Sequence, residues 1–97
     1  MHHEAADQYV ISLQKSLKDF LFDTALALYE RLIENDPTNN PLNTLYLRRL
    51  ADIRYTQGGQ ENIDLARAYY EQAAKLNPAD LHALYGIVLV SFNAIFY

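Results

Sequence analysis

The sequence predicts an all-α chain built as a solenoid of stacked helical hairpins, and three observations carry that prediction. One spacing of small, aromatic and proline residues occurs twice, and apolar residues elsewhere recur at helical intervals. Turn-forming residues are also scarce, with 3 Gly and 3 Pro in 97 residues, which leaves little for the many turns of an all-β domain. A chain that is 51% hydrophobic and 21% charged has enough apolar material to fold rather than stay disordered. Its length makes it a single domain, 1–97, or a piece of one.

The first copy of the repeat is Ala25-x3-Tyr29-x2-Leu32-x4-Pro37, and the second is Ala66-x3-Tyr70-x2-Ala73-x4-Pro78. The small residue lets the second helix of a hairpin approach its partner, and the tyrosine fills the space one turn later. The proline cannot continue a helix, so it opens the connection to the next unit. Such a helix implies a preceding one. Before Pro37, Tyr9, Leu13, Leu17 and Phe20 recur at i, i+4, i+8 and i+11, the period of an amphipathic helix. Before Pro78, Leu47, Leu50, Ala51 and Tyr55 form the corresponding face, and Gly58-Gly59 ends it at a flexible turn. After Pro78, Asp80 is placed to cap a helix carrying Leu84, Ile87 and Val88.

Helices are therefore predicted near residues 5–19, 22–35, 44–57, 62–76 and 81–95. They make two hairpins plus one extra helix: repeat one over about 5–37, repeat two over about 44–78, and the first helix of repeat three over 81–97. The distance from Pro37 to Pro78 exceeds the roughly 34 residues of a standard tetratricopeptide repeat. The surplus falls around 58–62 and 40–43, in turn-rich stretches where extra residues cost little closure entropy. Arg67, Glu71 and Lys75 make i,i+4 pairs on a solvated face of the fourth helix, worth tenths of a kcal/mol each.

One stretch is more specific than a generic repeat. The run Leu50-Ala51-Asp52-Ile53-Arg54-Tyr55-Thr56-Gln57-Gly58-Gly59 is followed by Glu61-Asn62-Ile63-Asp64-Leu65, Arg67, Tyr69-Tyr70, Gln72-Ala73-Ala74-Lys75-Leu76-Asn77 and Ala83-Leu84-Tyr85-Gly86. It resembles the family of subunit 2 of the endoplasmic reticulum membrane protein complex, a tetratricopeptide-repeat family. The double glycine is the distinguishing mark, since ordinary repeats turn on a single glycine here. The likeness is strong over 50–86, looser over 22–37, and upstream only a compatible pattern. It implies a tetratricopeptide-repeat α-solenoid and a non-catalytic scaffold. That scaffold would be cytoplasmic and peripheral on the cytosolic face of the endoplasmic reticulum membrane. Its partners would be the protein subunits of a complex that inserts membrane proteins. The chain departs from the family at 40–43, which looks like an insertion, and after Gly86, where the expected polar positions are missing. It also ends where the family continues into further helices.

The remaining chemistry is mostly exclusion. Twelve acidic against 8 basic residues, a net charge of -4, argue against nonspecific nucleic-acid binding, which needs cations to displace phosphate counterions. With no cysteine, disulfides, thiol catalysis and zinc knuckles are out, as suits a reducing compartment. The N-terminus lacks the basic and apolar segments of a signal peptide, and His2-His3 reads as a solvated terminus. The internal His82 stands near Asp80, itself better explained as a cap. Asp19/Asp23 and Glu30/Glu34 read as solvated i,i+4 pairs, and Gly58-Gly59 lacks the Lys-Ser/Thr of a phosphate loop. The chain is expected not to be an enzyme and to need no metal, cofactor or small-molecule substrate.

Binding is left. In stacked hairpins the first helix of each pair lines the concave face. Repeat phase puts Val10, Gln14 and Leu17, then Arg48, Asp52 and Tyr55, then His82, Tyr85 and Leu89 on that face. Gln14, Arg48, Asp52, Tyr55, His82 and Tyr85 are the candidate partner-binding residues. For Tyr55 and Tyr85 the alternative is packing between neighbouring repeats. A generic repeat adaptor gripping a peptide segment in the groove is the second functional reading. The apolar 81–97 segment is shorter than the roughly 20 residues of a spanning helix and carries His82, Ser91 and Asn93. It reads as a buried helix without its partner, expected to promote self-association, aggregation or dependence on a partner. A membrane anchor is the reading from a different class.

Overall fold

The computed structural model describes residues 2–35 and 42–96, with side chains over 6–35 and 42–93. Four helices follow one another: α1 (His2–Asn35), α2 (Leu42–Gln57), α3 (Gln60–Leu76) and α4 (Leu81–Phe96). The last three lie close to the predicted 44–57, 62–76 and 81–95. Pro37 and residues 40–41 lie outside the described residues, and Leu42 and Asn43 belong to α2. Among the described residues no helix is long and apolar enough to cross a membrane.

The first hairpin is a correction. Residues predicted as separate helices, 5–19 and 22–35, form the single helix α1. The physical reason is the absence of anything to stop it. The joint Ser16-Leu17-Lys18-Asp19-Phe20-Leu21-Phe22-Asp23-Thr24 has no Gly, Pro or Asn, and its Leu and Lys favour the helix. Thr24 turns its hydroxyl back to the carbonyl oxygen of Phe20, 2.8 Å away, and so exposes no new backbone need. Among the described residues α2 and α3 pair across the Gly58-Gly59 turn, with α1 and α4 packed against them, and residues 6–21 of α1 are exposed throughout.

Where the chain does turn, the local chemistry is explicit. Gly58 and Gly59 both take positive φ, 76° and 84°, a region that costs a residue with Cβ about 1–2 kcal/mol. The Gly58 N–H closes α2 on the carbonyl oxygens of Arg54 and Tyr55 at 3.3 and 3.2 Å. Asn62 braces the turn by donating Nδ2–H to the Gly58 carbonyl oxygen at 2.9 Å and accepting from Arg54 Nη1 at 3.2 Å. After α3, Asn77 leaves the helical region at φ −138° and its Oδ1 accepts from the Ala79 N–H at 3.1 Å. Asp80 then caps α4, accepting the Ala83 N–H at 3.1 Å, as its position in the sequence predicts.

The core is thin and set by small residues at helix crossings. Ala51, Ala66, Tyr70 and Val90 form one cluster, with Tyr55, Ile63, Tyr69 and Ile87 against it. Leu47, Ala73 and Ala83 form another, joined by Ile33 from α1. Ala51, Ala66, Ala73 and Ala83 expose nothing, so backbones meet closely at these points and no larger side chain fits without displacing a helix. Both alanines of the second repeat copy, and its Tyr70, occupy the places their spacing implies. From the first copy, Tyr29 packs at a tilt of 37° against Tyr46 of α2, with ring centroids 5.9 Å apart.

Candidate functional site

Helices α2 and α4 meet over α3 to form an open cavity of about 460 Å³. Asp52 of α2 stands on one side, Leu81, His82, Tyr85 and Leu89 of α4 on the other, and Tyr70 of α3 with Gly86 at the base. Gly86 makes the base possible, because a Cβ there would stand 2.5 Å from the Tyr70 ring. The two helices bring Asp52 and His82 together although they lie 30 residues apart.

The polar centre is the Asp52 carboxylate. His82 Nε2 lies 3.1 Å from each of its oxygens, and the Tyr70 hydroxyl donates to Oδ1. An ionised carboxylate only accepts, so Nε2 carries the imidazole proton in this contact. The pair becomes an ion pair whenever the ring is protonated. The Tyr70 phenol is pushed well above its ordinary value near 10, first by burial, then by its hydrogen bond to Asp52 and the nearby negative charge. Around this centre the rim is apolar and open, with Tyr85 78% exposed and Leu81 76%. A polar point ringed by exposed apolar side chains suits recognition of a partner side chain. Among the described residues no three His, Asp or Glu side chains converge as metal ligands would.

The six candidate residues separate. Asp52, His82 and Tyr85 line the cavity together with Leu89. Arg48 is instead drawn to Asp80, Nε to Oδ2 3.1 Å, a close contact of opposite charges that ties α2 to the start of α4. Tyr55 packs against the Ala51/Ala66/Tyr70/Val90 cluster and accepts a hydrogen bond from Asn93 Nδ2 at 2.9 Å, so its area lies between helices rather than in the groove. Gln14, Val10 and Leu17 sit on the exposed half of α1, outside the cavity lining. The acidic partner of His82 is Asp52 and not the nearby Asp80. Sequence reasoning placed Tyr70 as filler only, and its hydroxyl contact with Asp52 had no signal in the spacing.

The Tyr70 hydroxyl makes a testable pH effect. Its pKa is higher in the folded than in the unfolded chain, so its contribution is full below pH 10 and is lost as the pH rises past that point. Tyr70→Phe is expected to cost about 1 kcal/mol at neutral pH, because Asp52 keeps His82. Urea unfolding followed from pH 8 to 11 should show wild type losing stability more steeply above pH 10 than Tyr70→Phe. Parallel curves would remove the hydroxyl–carboxylate contact from the account.

Comparison with known proteins agrees with this architecture. A family model described as tetratricopeptide repeat matches residues 57–94. The chain is 36% identical over 91 residues to ER membrane protein complex subunit 2 of Xenopus tropicalis, a match covering 94% of this chain and 27% of the relative. ER membrane protein complex subunits 2-A and 2-B of Xenopus laevis match over the same extent at the same identity. The chain therefore spans about a quarter of the length of these relatives. No solved structure matches it.

Proposed function

We propose, from an all-α tetratricopeptide-repeat fold with likeness to ER membrane protein complex subunit 2 along nearly its whole length, that this chain is a non-catalytic interaction scaffold. Its groove between α2 and α4 receives a segment of a protein partner. In that reading the partners are subunits of a membrane-associated complex that supports membrane-protein insertion. The chain is held at the cytosolic face of the endoplasmic reticulum through them. The observation that carries the groove is the exposed apolar rim of Leu81, Tyr85 and Leu89 around the Asp52–His82 pair. Such a rim costs free energy in water and is stabilising only when covered. Asp52 and His82 supply register, since a partner side chain that contacts them must satisfy a carboxylate already shared by two donors.

Affinity-tagged chain recovered from detergent-solubilised endoplasmic reticulum membranes tests both parts. The wild-type chain should co-purify with subunits of that complex, and a Tyr85→Ser/Leu89→Ser variant should recover at least about tenfold less, the loss expected of a central apolar anchor. No recovered subunits with wild type would sink the complex assignment and favour a generic repeat adaptor. Equal recovery with both chains would instead remove the groove as the contact.

A further inference from the structure

The groove between α2 and α4 carries a charge that the fold leaves open to a partner. Among the described residues lining it, Asp52 is the one acid, and none is a lysine or arginine. Arg48, one turn earlier on α2, is the cation that helical spacing would offer Asp52. It is held instead by Asp80, Nε to Oδ2 3.1 Å, whose side chain is only 8% exposed. Asp80 also caps α4 through the Ala83 N–H, so Arg48 is committed to the start of that helix. The ion-pair partner of Asp52 among the described residues is His82, and the Asp52 side chain stays 31% exposed. Its two oxygens are unequally used. Oδ1 accepts from the Tyr70 hydroxyl and from His82 Nε2. Oδ2 has His82 Nε2 only, at the same 3.1 Å, and one N–H serves both contacts. An ionised carboxylate offers about four acceptor sites, so the spare capacity lies chiefly at Oδ2.

We infer that the segment received by the groove carries one lysine or arginine with apolar residues on both sides, its cation accepted end-on by Asp52 Oδ2. This rests on the groove reading above and adds what the groove selects. Charge complementarity carries it. A segment seated on Leu81, Tyr85 and Leu89 withdraws Asp52 from water, and a covered carboxylate is costly unless it is both hydrogen-bonded and paired. Neutral His82 supplies a hydrogen bond and no charge. A wholly apolar segment is therefore penalised, whereas an ammonium or guanidinium makes a charge-assisted hydrogen bond in a site that its own binding dries. With capacity left chiefly at one oxygen, the two-pronged arginine–carboxylate pairing is not open, so lysine serves as well as arginine. The apolar flanks follow from α4. Leu81, Tyr85 and Leu89 recur every four residues, about 6 Å apart along the helix, and His82 stands between the first two. A basic residue at Asp52 thus has apolar rim to either side. The exposed Tyr85 ring is a surface on which its stem or its cation can lie. The net charge of -4 steers such a segment toward the chain.

A phage-displayed library of random peptides, panned on the full chain, is the probe. Wild type should enrich peptides with one Lys or Arg between apolar residues. Asp52→Asn keeps an amide oxygen for Tyr70 and His82, and should enrich apolar peptides without the basic preference. The best wild-type binder, resynthesised with Met in place of its basic residue, should bind wild type at least about 30-fold more weakly, as for one partner of a buried charge pair. That comparison alters the peptide and leaves the protein intact, so it holds whatever Asp52→Asn does to the fold. The loss should persist at about 1 M salt, where the Debye length is about 3 Å. Wild type enriching apolar peptides with no excess of Lys or Arg overturns the inference and leaves the groove standing, His82 then supplying the positive charge itself. A basic preference that survives in Asp52→Asn, or a loss that vanishes at high salt, assigns the effect to the net charge of the chain and overturns it as well. Selected peptides that bind Tyr85→Ser/Leu89→Ser undiminished, or a panning that enriches nothing, sink the groove reading and this inference with it.

Discussion

Leu50→Ala is expected to lower the unfolding free energy by about 3 kcal/mol, within the roughly 2–5 kcal/mol found for buried leucines. Leu50 is 1% exposed and, with Val90, is one of the two largest fully buried side chains. Part of the loss is the transfer term, about 0.8 kcal/mol for each CH2 returned to water. The remainder is the cavity left behind, which the surroundings fill only by moving. Here they have little freedom to move, because Ala51, Ala66 and Ala73 already hold α2 and α3 together at zero exposure. Domains of this size carry only about 5–15 kcal/mol in total, so the variant should unfold at a much lower urea concentration with an unchanged slope. Leu76→Ala is the control, since Leu76 is 58% exposed and should change stability by under about 1 kcal/mol. A Leu50→Ala midpoint indistinguishable from that of Leu76→Ala would contradict the core described above.

The elements that were legible in the sequence are those whose ends are written in local chemistry. Gly58-Gly59 needs positive φ, and Asn77-Pro78 with Asp80 combines a stop and a cap. These fix α2, α3 and α4 within a few residues whatever the tertiary context. The joint near Phe20 has no such residues. The Ala25/Tyr29/Leu32 face implies a preceding helix, yet a face states what should be covered and not where the chain must turn. The same division runs through the site. Repeat phase alone brings Asp52, His82 and Tyr85 to one surface, since each lies on a first helix of its unit. The Asp52–His82 contact is not readable that way, because it depends on how closely α4 settles on α3. Arg48 and Tyr55 share the phase of the groove residues but are captured by Asp80 and Asn93, partners 32 and 38 residues away. Periodicity resolves a face, and at this distance it does not distinguish a free side chain from one already engaged across helices.

Gly86→Ala should be the most informative single change, because two effects of opposite sign compete and the structure decides between them. Glycine inside a helix costs about 1 kcal/mol relative to alanine, so helix propensity alone predicts that the variant is more stable. Against this, the added Cβ would stand 2.5 Å from Cδ1 and Cε1 and 2.6 Å from Cζ of Tyr70. That ring is 3% exposed and is held at its far end by the hydroxyl contact with Asp52, so it has no room to swing aside. Either α4 lifts from α3 or the ring leaves its place. Overpacking of this kind costs about 1–3 kcal/mol, and the loosened hydroxyl contact adds about 1 kcal/mol. The net expectation is destabilisation by about 2 kcal/mol, with the alkaline loss of stability assigned to Tyr70 weakened. The cause is isolated by repeating the substitution in a Tyr70→Leu background, where a smaller side chain faces the new methyl. There Gly86→Ala should be neutral or stabilising, giving a coupling energy of about 2 kcal/mol between the two positions. A rise in melting temperature for Gly86→Ala in the wild-type background would mean that α3 and α4 are not in close contact here. The base of the groove, and with it the alignment of His82 on Asp52, would then have to be drawn differently.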